Sequence, residues 1–175
     1  YSYFDGSVGM SFNSQVGQGE ENNMYAGLAY HHFNKAKKVS FYTNSNIELT
    51  PKWVASAGLR TSTTAYNYIT IEADYSKQGA YREIIGGALY SMKLETPDDP
   101  RFIIHGGAYI RWNDAILPVA KMDVQQMSFA ISYDINISPL SKASQARGGF
   151  ELSVVYQKFL DRENSVKNAV RCPRF

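Results

Sequence analysis

Apolar and polar residues alternate with period two along most of this chain. The clearest run spans Met127 to Ile137. Met127, Phe129, Ile131, Tyr133, Ile135 and Ile137 fall on one face, and Ser128, Ala130, Ser132, Asp134 and Asn136 on the other. Successive side chains of a strand point to opposite faces, so this alternation predicts strands. Phe102, Ile104, Ala108, Ile110 and Trp112 oppose His105, Tyr109 and Arg111 in the same way. Phe150, Leu152, Val154 and Tyr156 oppose Glu151, Ser153 and Gln157, and Phe4, Val8, Met10 and Phe12 oppose Asp5, Ser7 and Ser11. Weaker runs cover residues 23–33, 53–61, 66–76, 81–93 and 115–124. The total is about nine strands, most near the ~9–11 residues that cross a bilayer at a tilt. No segment carries the pattern and caps of an amphipathic helix.

The connections are polar or proline-bearing. Residues 95–100 hold two prolines and cannot form a central strand. Residues 62–65 and 124–126 are short connections, and residues 34–52 and 138–148 are longer. In bacterial membrane barrels the short turns face the periplasm and the long loops face outward. If the run from Phe150 descends to the periplasm, strand parity puts 138–148 and 34–52 outside, and 124–126 and 95–100 in the periplasm. Residues 13–22 are long for a periplasmic turn, and 111–114 short for an external loop. Lys35, Lys37 and Lys38 form a small basic cluster that reads as a solvated loop or a partner contact.

Composition decides what the alternation means. A soluble barrel also alternates, with its apolar face inward, but a water-facing surface carries many Lys, Glu, Arg and Asp. Here 19% of residues are charged, and many of these sit in loops or near the C-terminus. The polar strand faces are instead Ser, Gly, Ala, Asn and Thr with a few acids, which suits a narrow lumen. Aromatics lie near strand ends (Phe4 and Phe12, Phe102 and Trp112, Phe150 with Tyr156 and Phe159), as in interfacial girdles. The expectation is an all-β fold, an antiparallel transmembrane β-barrel of the bacterial outer membrane. No run approaches the ~18 consecutive apolar residues of a membrane helix. A net charge of +2 argues against nucleic acid as the main partner.

Little in the chain promises catalysis. His31 and His32 are adjacent, so in a strand they point to opposite faces and cannot chelate one metal together. His105 sits on a polar strand face and reads as a hydrogen-bonded lumen residue. No zinc-type spacing and no G-x-S-x-G nucleophile motif occurs. The chain is therefore expected not to be an enzyme and to need no cofactor or metal. Asn136-Ile137-Ser138 matches a glycosylation sequon, which at a strand end of a bacterial protein is an accident. The single Cys172 excludes an internal disulfide. A set of lumen-facing charges, Arg60, Glu72, Asp74, Arg111 and Asp134, is the feature that a porin-like or hydrophobic-solute channel would use.

The block Arg111-Trp112-Asn113-Asp114-Ala115-Ile116-Leu117, followed by Phe129-Ala130-Ile131-Ser132-Tyr133-Asp134-Ile135-Asn136-Ile137-Ser138, resembles the PorP/SprF family of outer-membrane proteins of the type IX secretion system of Bacteroidota. Gly149-Phe150-Glu151-Leu152-Ser153-Val154 is similar to the family's last strand. Tyr25-Ala26-Gly27-Leu28-Ala29-Tyr30 leading into His32-Phe33-Asn34, Lys77-Gln78-Gly79 before Glu83-Ile84, and the Cys-Pro-Arg-Phe ending are similar to members as well. Members are usually longer, so the resemblance implies the C-terminal part of a barrel, with residues 1–159 as strands and 160–175 as a periplasmic tail. It implies a non-enzymatic component that binds periplasmic ring lipoproteins or secreted cargo such as gliding adhesins, with outer-membrane lipid around it. The motif positions are Arg111, Asn113, Asp114, Ala115, Ser132, Tyr133, Asp134 and Asn136. Two roles are open for the Asp114 and Asp134 blocks: fixing turns and lumen hydrogen bonds, or direct function.

Overall fold

The computed structural model describes residues 4–17, 22–35, 48–139 and 148–157. They form one antiparallel sheet whose strands follow chain order. The strands are β1 (Ser7–Gln15), β2 (Asn23–His31), β3 (Lys52–Ser62), β4 (Asn67–Gln78), β5 (Tyr81–Leu94), β6 (Phe102–Arg111), β7 (Ala115–Val124), β8 (Met127–Tyr133), β9 (Ile135–Asn136) and β10 (Phe150–Tyr156). Each predicted run is a strand. The run from Met127 is broken into β8 and β9, both paired with β7 in one continuous register. The break at Asp134 falls opposite Leu117 and Pro118, where proline has no N–H to give the ladder. The Asp134 N–H bonds instead to the Gly149 carbonyl at 2.8 Å, toward β10. The run expected from residue 66 starts at Asn67, because the Thr64 hydroxyl accepts the N–H groups of Tyr66 and Asn67 and holds a turn there.

The registers align the apolar residues into one unbroken face. One row runs Met10, Leu28, Ala55, Tyr75, Ile84 from β1 to β5. Another runs Met92, Ile104, Met122, Phe129, Val154 from β5 to β10. This is the outer face. Leu28, Ile71, Ile110 and Leu152 on it are 50–70% exposed. Among the described residues, all seven buried ones, Tyr68, Thr70, Ser91, Lys93, His105, Ala115 and Asp123, point to the other face. A single flat sheet would expose both faces alike. Burial confined to one face means that the sheet curls toward it, so the polar face is concave.

Two rims result. Among the described residues, 16–17, 22, 63–66, 95–101 and 125–126 lie at the first rim. Residues 32–35, 48–51, 79–80, 112–114, 137–139 and 148–149 lie at the second. This is the partition expected from strand parity. The β4–β5 connection has two residues, with Gly79 at φ 60° in its first position, as a type II′ hairpin requires. Strands β1 and β10 are the two ends of the sheet and run in the same direction.

Candidate functional site

Arg111 ends β6, and its side chain reaches across β7 to Asp134, two strands away. Neighbouring strands lie about 4.8 Å apart, so the guanidinium must pass over whatever β7 presents. That residue is Ala115, the Cα partner of Arg111 on one side and of Asn136 on the other, and it is 1% exposed. A larger side chain would stand in the path. The Arg111 Nε is 2.6 Å from Asp114 Oδ2, so one guanidinium ties two carboxylates.

The turn that brings Asp114 into place is made by Asn113 at φ 59°, a left-handed position that Asn tolerates better than most residues. The Asp114 N–H donates to the Arg111 carbonyl at 3.0 Å. The Asp114 carbonyl accepts the N–H groups of Ile137 at 2.8 Å and Ser138 at 3.1 Å, which fastens the end of β9. Asn136 Oδ1 accepts both the N–H and the hydroxyl of Ser138, at 2.9 and 2.7 Å. The sequon residues are thus engaged with each other in a local turn.

The fold therefore brings six motif positions into one clasp at the second rim: Arg111, Asn113, Asp114, Ala115, Asp134 and Asn136. Ser132 and Tyr133 stand apart. Ser132 faces the concave side between Val119 and Glu151, and Tyr133 faces outward beside Phe150.

A second polar cluster lies toward the first rim. Ser91 Oγ is 2.8 Å from His105 Nδ1, and His105 Nε2 is 3.0 Å from Asp123 Oδ2. Lys121 Nζ lies 3.3 Å from the other oxygen of Asp123. The Tyr68 ring meets His105 edge-on, and the Arg60 guanidinium lies 4.8 Å from the Tyr68 centroid. The order Ser–His–Asp resembles a nucleophilic row, but Ser91 has no exposed surface to meet a substrate. Its chemistry is that of a stitch across β5, β6 and β7. His105 is the hydrogen-bonded inner-face residue that its strand position implied.

One further row carries no signal in a linear reading. Tyr25, Gly58, Glu72, Gly87 and Tyr109 are successive partners across β2 to β6. A Cβ on Gly58 would collide with the Tyr25 ring, and one on Gly87 with the Tyr109 ring. Both rings lie over the glycines, and the Tyr109 hydroxyl donates to Glu72 Oε2 at 2.5 Å. Strand glycines are the clue, since glycine permits such close approach.

His31 Nδ1 is 3.1 Å from the Ser7 hydroxyl, and His32 Nδ1 is 2.8 Å from Asp5 Oδ2, so the two rings serve different partners. Among the described residues no group of three or more His, Cys, Asp or Glu is placed to hold a metal. Lys37, Lys38, Phe159 and Cys172 lie outside the described residues.

A one-layer sheet with an exposed apolar convex face and a polar, hydrogen-bonded concave face inverts the soluble pattern. It is the wall of an outer-membrane β-barrel. The family described as type IX secretion system membrane protein PorP/SprF matches residues 1–156. The chain belongs to that family and is an outer-membrane component of type IX secretion. No curated protein and no solved structure matches it.

Proposed function

We propose that this protein works by binding other proteins of the secretion system, periplasmic ring lipoproteins or a secreted cargo such as a gliding adhesin, without catalysis. The observation that carries this reading is that several inner-face charges engage side chains on neighbouring strands, Asp74 and Glu151 being exceptions among the described residues. Arg111 holds Asp114 and Asp134, Glu72 takes the Tyr109 hydroxyl, and Asp123 is held by His105 and Lys121. A selective pore presents charges to the solute that passes. Here those groups join neighbouring strands, which leaves rims and loops as the surfaces for partners. The clasp at Arg111 then has a positioning role, setting the shape of the second rim.

Two regions are candidate contacts, residues 34–52 on the outside and a periplasmic tail, 160–175. The tail carries Arg162, Lys167, Arg171 and Arg174 against Asp161 and Glu163, and its mild basic excess suits an acidic periplasmic partner. Most of the first region and all of the tail lie outside the described residues. Deleting 162–175 is expected to leave the barrel folded and to impair secretion or cargo retention. Normal secretion would remove the tail from this scheme.

The porin-like reading rests on Arg60, Glu72, Asp74, Arg111 and Asp134, which all stand on the concave side. Large, stable conductance by the full-length protein in a planar bilayer would favour it.

A further inference from the structure

The outer face holds only two charged residues among the described strands, Lys77 at the end of β4 and Arg82 at the start of β5. They are direct Cα partners across the β4–β5 hairpin. Both are exposed, and among the described residues neither has an ion pair or a hydrogen-bonding side-chain partner. Like charges placed directly opposite on one sheet face repel. A cation turned toward hydrocarbon adds a further cost, which is smallest at the interface. Two costs at one spot call for an anion that sits between the two side chains.

Aromatic residues fix the level of this spot. Trp53 is the partner of Lys77 on β3, is 55% exposed, and stacks on Tyr30 with ring centroids 4.2 Å apart. One row inward lie Tyr75 and Ile84. Trp112 continues that row, its N–H bonded to the Ile84 carbonyl at 2.9 Å, and is 68% exposed. Both tryptophans of the chain thus flank the Lys77–Arg82 pair. Trp and Tyr concentrate where hydrocarbon gives way to headgroups. The pair shares its row with Trp53 and Tyr30 and stands one row beyond Tyr75 and Trp112, on the rim side, which is the level of the headgroups.

The geometry points to a lipid site at the second rim, where Lys77 and Arg82 clamp the phosphate of an anionic membrane lipid whose acyl chains lie on the apolar rows below. The guanidinium supplies two parallel donors to phosphate oxygens and the ammonium a compact charge. Trp53 and Trp112 pack against the glycerol or sugar region of the same headgroup. A zwitterionic lipid is a poorer fit, because its own ammonium already neutralises its phosphate.

The test uses the full-length protein in nanodiscs of equal phosphatidylglycerol and phosphatidylethanolamine, released into mild detergent and weighed by native mass spectrometry. Retained lipid is expected to be enriched in phosphatidylglycerol. The double variant Lys77→Gln, Arg82→Gln should lower that retention about tenfold or more, with heat modifiability of the barrel unchanged. Lys77→Arg should keep it. Equal retention of the two lipids by the unaltered protein would overturn the proposal, even if the double variant fails to fold. Undiminished retention by a folded double variant would do the same. Displacement of the lipid by excess inorganic phosphate would reassign the pair to free anions.

Discussion

The Tyr109 hydroxyl reaches Glu72 by lying over Gly87, the residue that separates them in the sheet. On the other side of Glu72, Gly58 leaves the same room for the Tyr25 ring. This row ties five strands together on the concave side, near the middle of the barrel wall.

A methyl group at Gly87 would strike both the Tyr109 ring and the Ala108 carbonyl. Gly87→Ala is therefore expected to destabilise the barrel by ~1–3 kcal/mol, the range for overpacking. At Gly106, on the outer face, an added Cβ meets nothing within 4 Å. Gly106→Ala should stay within ~0.5 kcal/mol of the parent. Guanidinium unfolding of the full-length protein in lipid vesicles compares the two, and an equal loss for both would count against the row.

Tyr109→Phe removes the donor and leaves Glu72 partly buried without it. The expected loss is ~1–3 kcal/mol, the cost of an unmet polar group. A cycle with Glu72→Ala should show coupling of roughly 0.5–3 kcal/mol. Additive losses would mean that the hydrogen bond contributes nothing.

Ala115→Leu should break the clasp without touching a charge, because the Arg111 guanidinium must cross above that position. The expected signature is a loss close to that of Arg111→Met, with little further loss when the two are combined. Since this clasp lies at the rim, its effect on partner binding should exceed its effect on secondary structure. Circular dichroism beside co-purification would separate these, and full additivity of the two variants would contradict the shared path.

Ile131 and Ser132 distinguish the two faces directly. Ile131→Arg should cost ~2–4 kcal/mol if it lies near the midplane, and a polar exchange at Ser132 much less. Cysteines at these positions should react with lipid-soluble and water-soluble reagents respectively. The reverse pattern would invert the register and favour a soluble sheet.

Strands β1 and β10 run in the same direction, so antiparallel closure needs an odd number of further strands between them. Unpaired edges are costly in hydrocarbon. Residues 1–175 expressed alone are expected to aggregate and to be protease-sensitive. A heat-modifiable, protease-resistant barrel from this chain alone would contradict that.

The alternation of Met127, Phe129 and Ile131 with Ser128, Ala130 and Ser132 is local, and it made the strands and both faces legible in sequence. Strand ends were less so, because the Thr64 hydroxyl bonds and the N–H that Pro118 lacks are not weighed by the pattern. The Arg111 block and the Asp134 block were visible as motifs. That they meet across Ala115 was not, since cross-strand register is a relation between distant segments. The same limit hid Gly58 and Gly87 beneath their tyrosines. Lys77 lay one residue past the run expected to end at 76 and Arg82 inside the run 81–93, but their meeting across the hairpin is again a matter of register.

If the barrel works by holding other secretion proteins, as proposed, those proteins should leave the membrane with it. Affinity purification of the full-length protein from native outer membranes after mild cross-linking, with mass spectrometry of what accompanies it, tests this most directly. The expected companion is a periplasmic ring lipoprotein or a secreted adhesin in near-stoichiometric amount, diminished when 162–175 is removed. Recovery of the barrel alone, with lipid but with no secretion component above the level of an unrelated outer-membrane barrel, would contradict it.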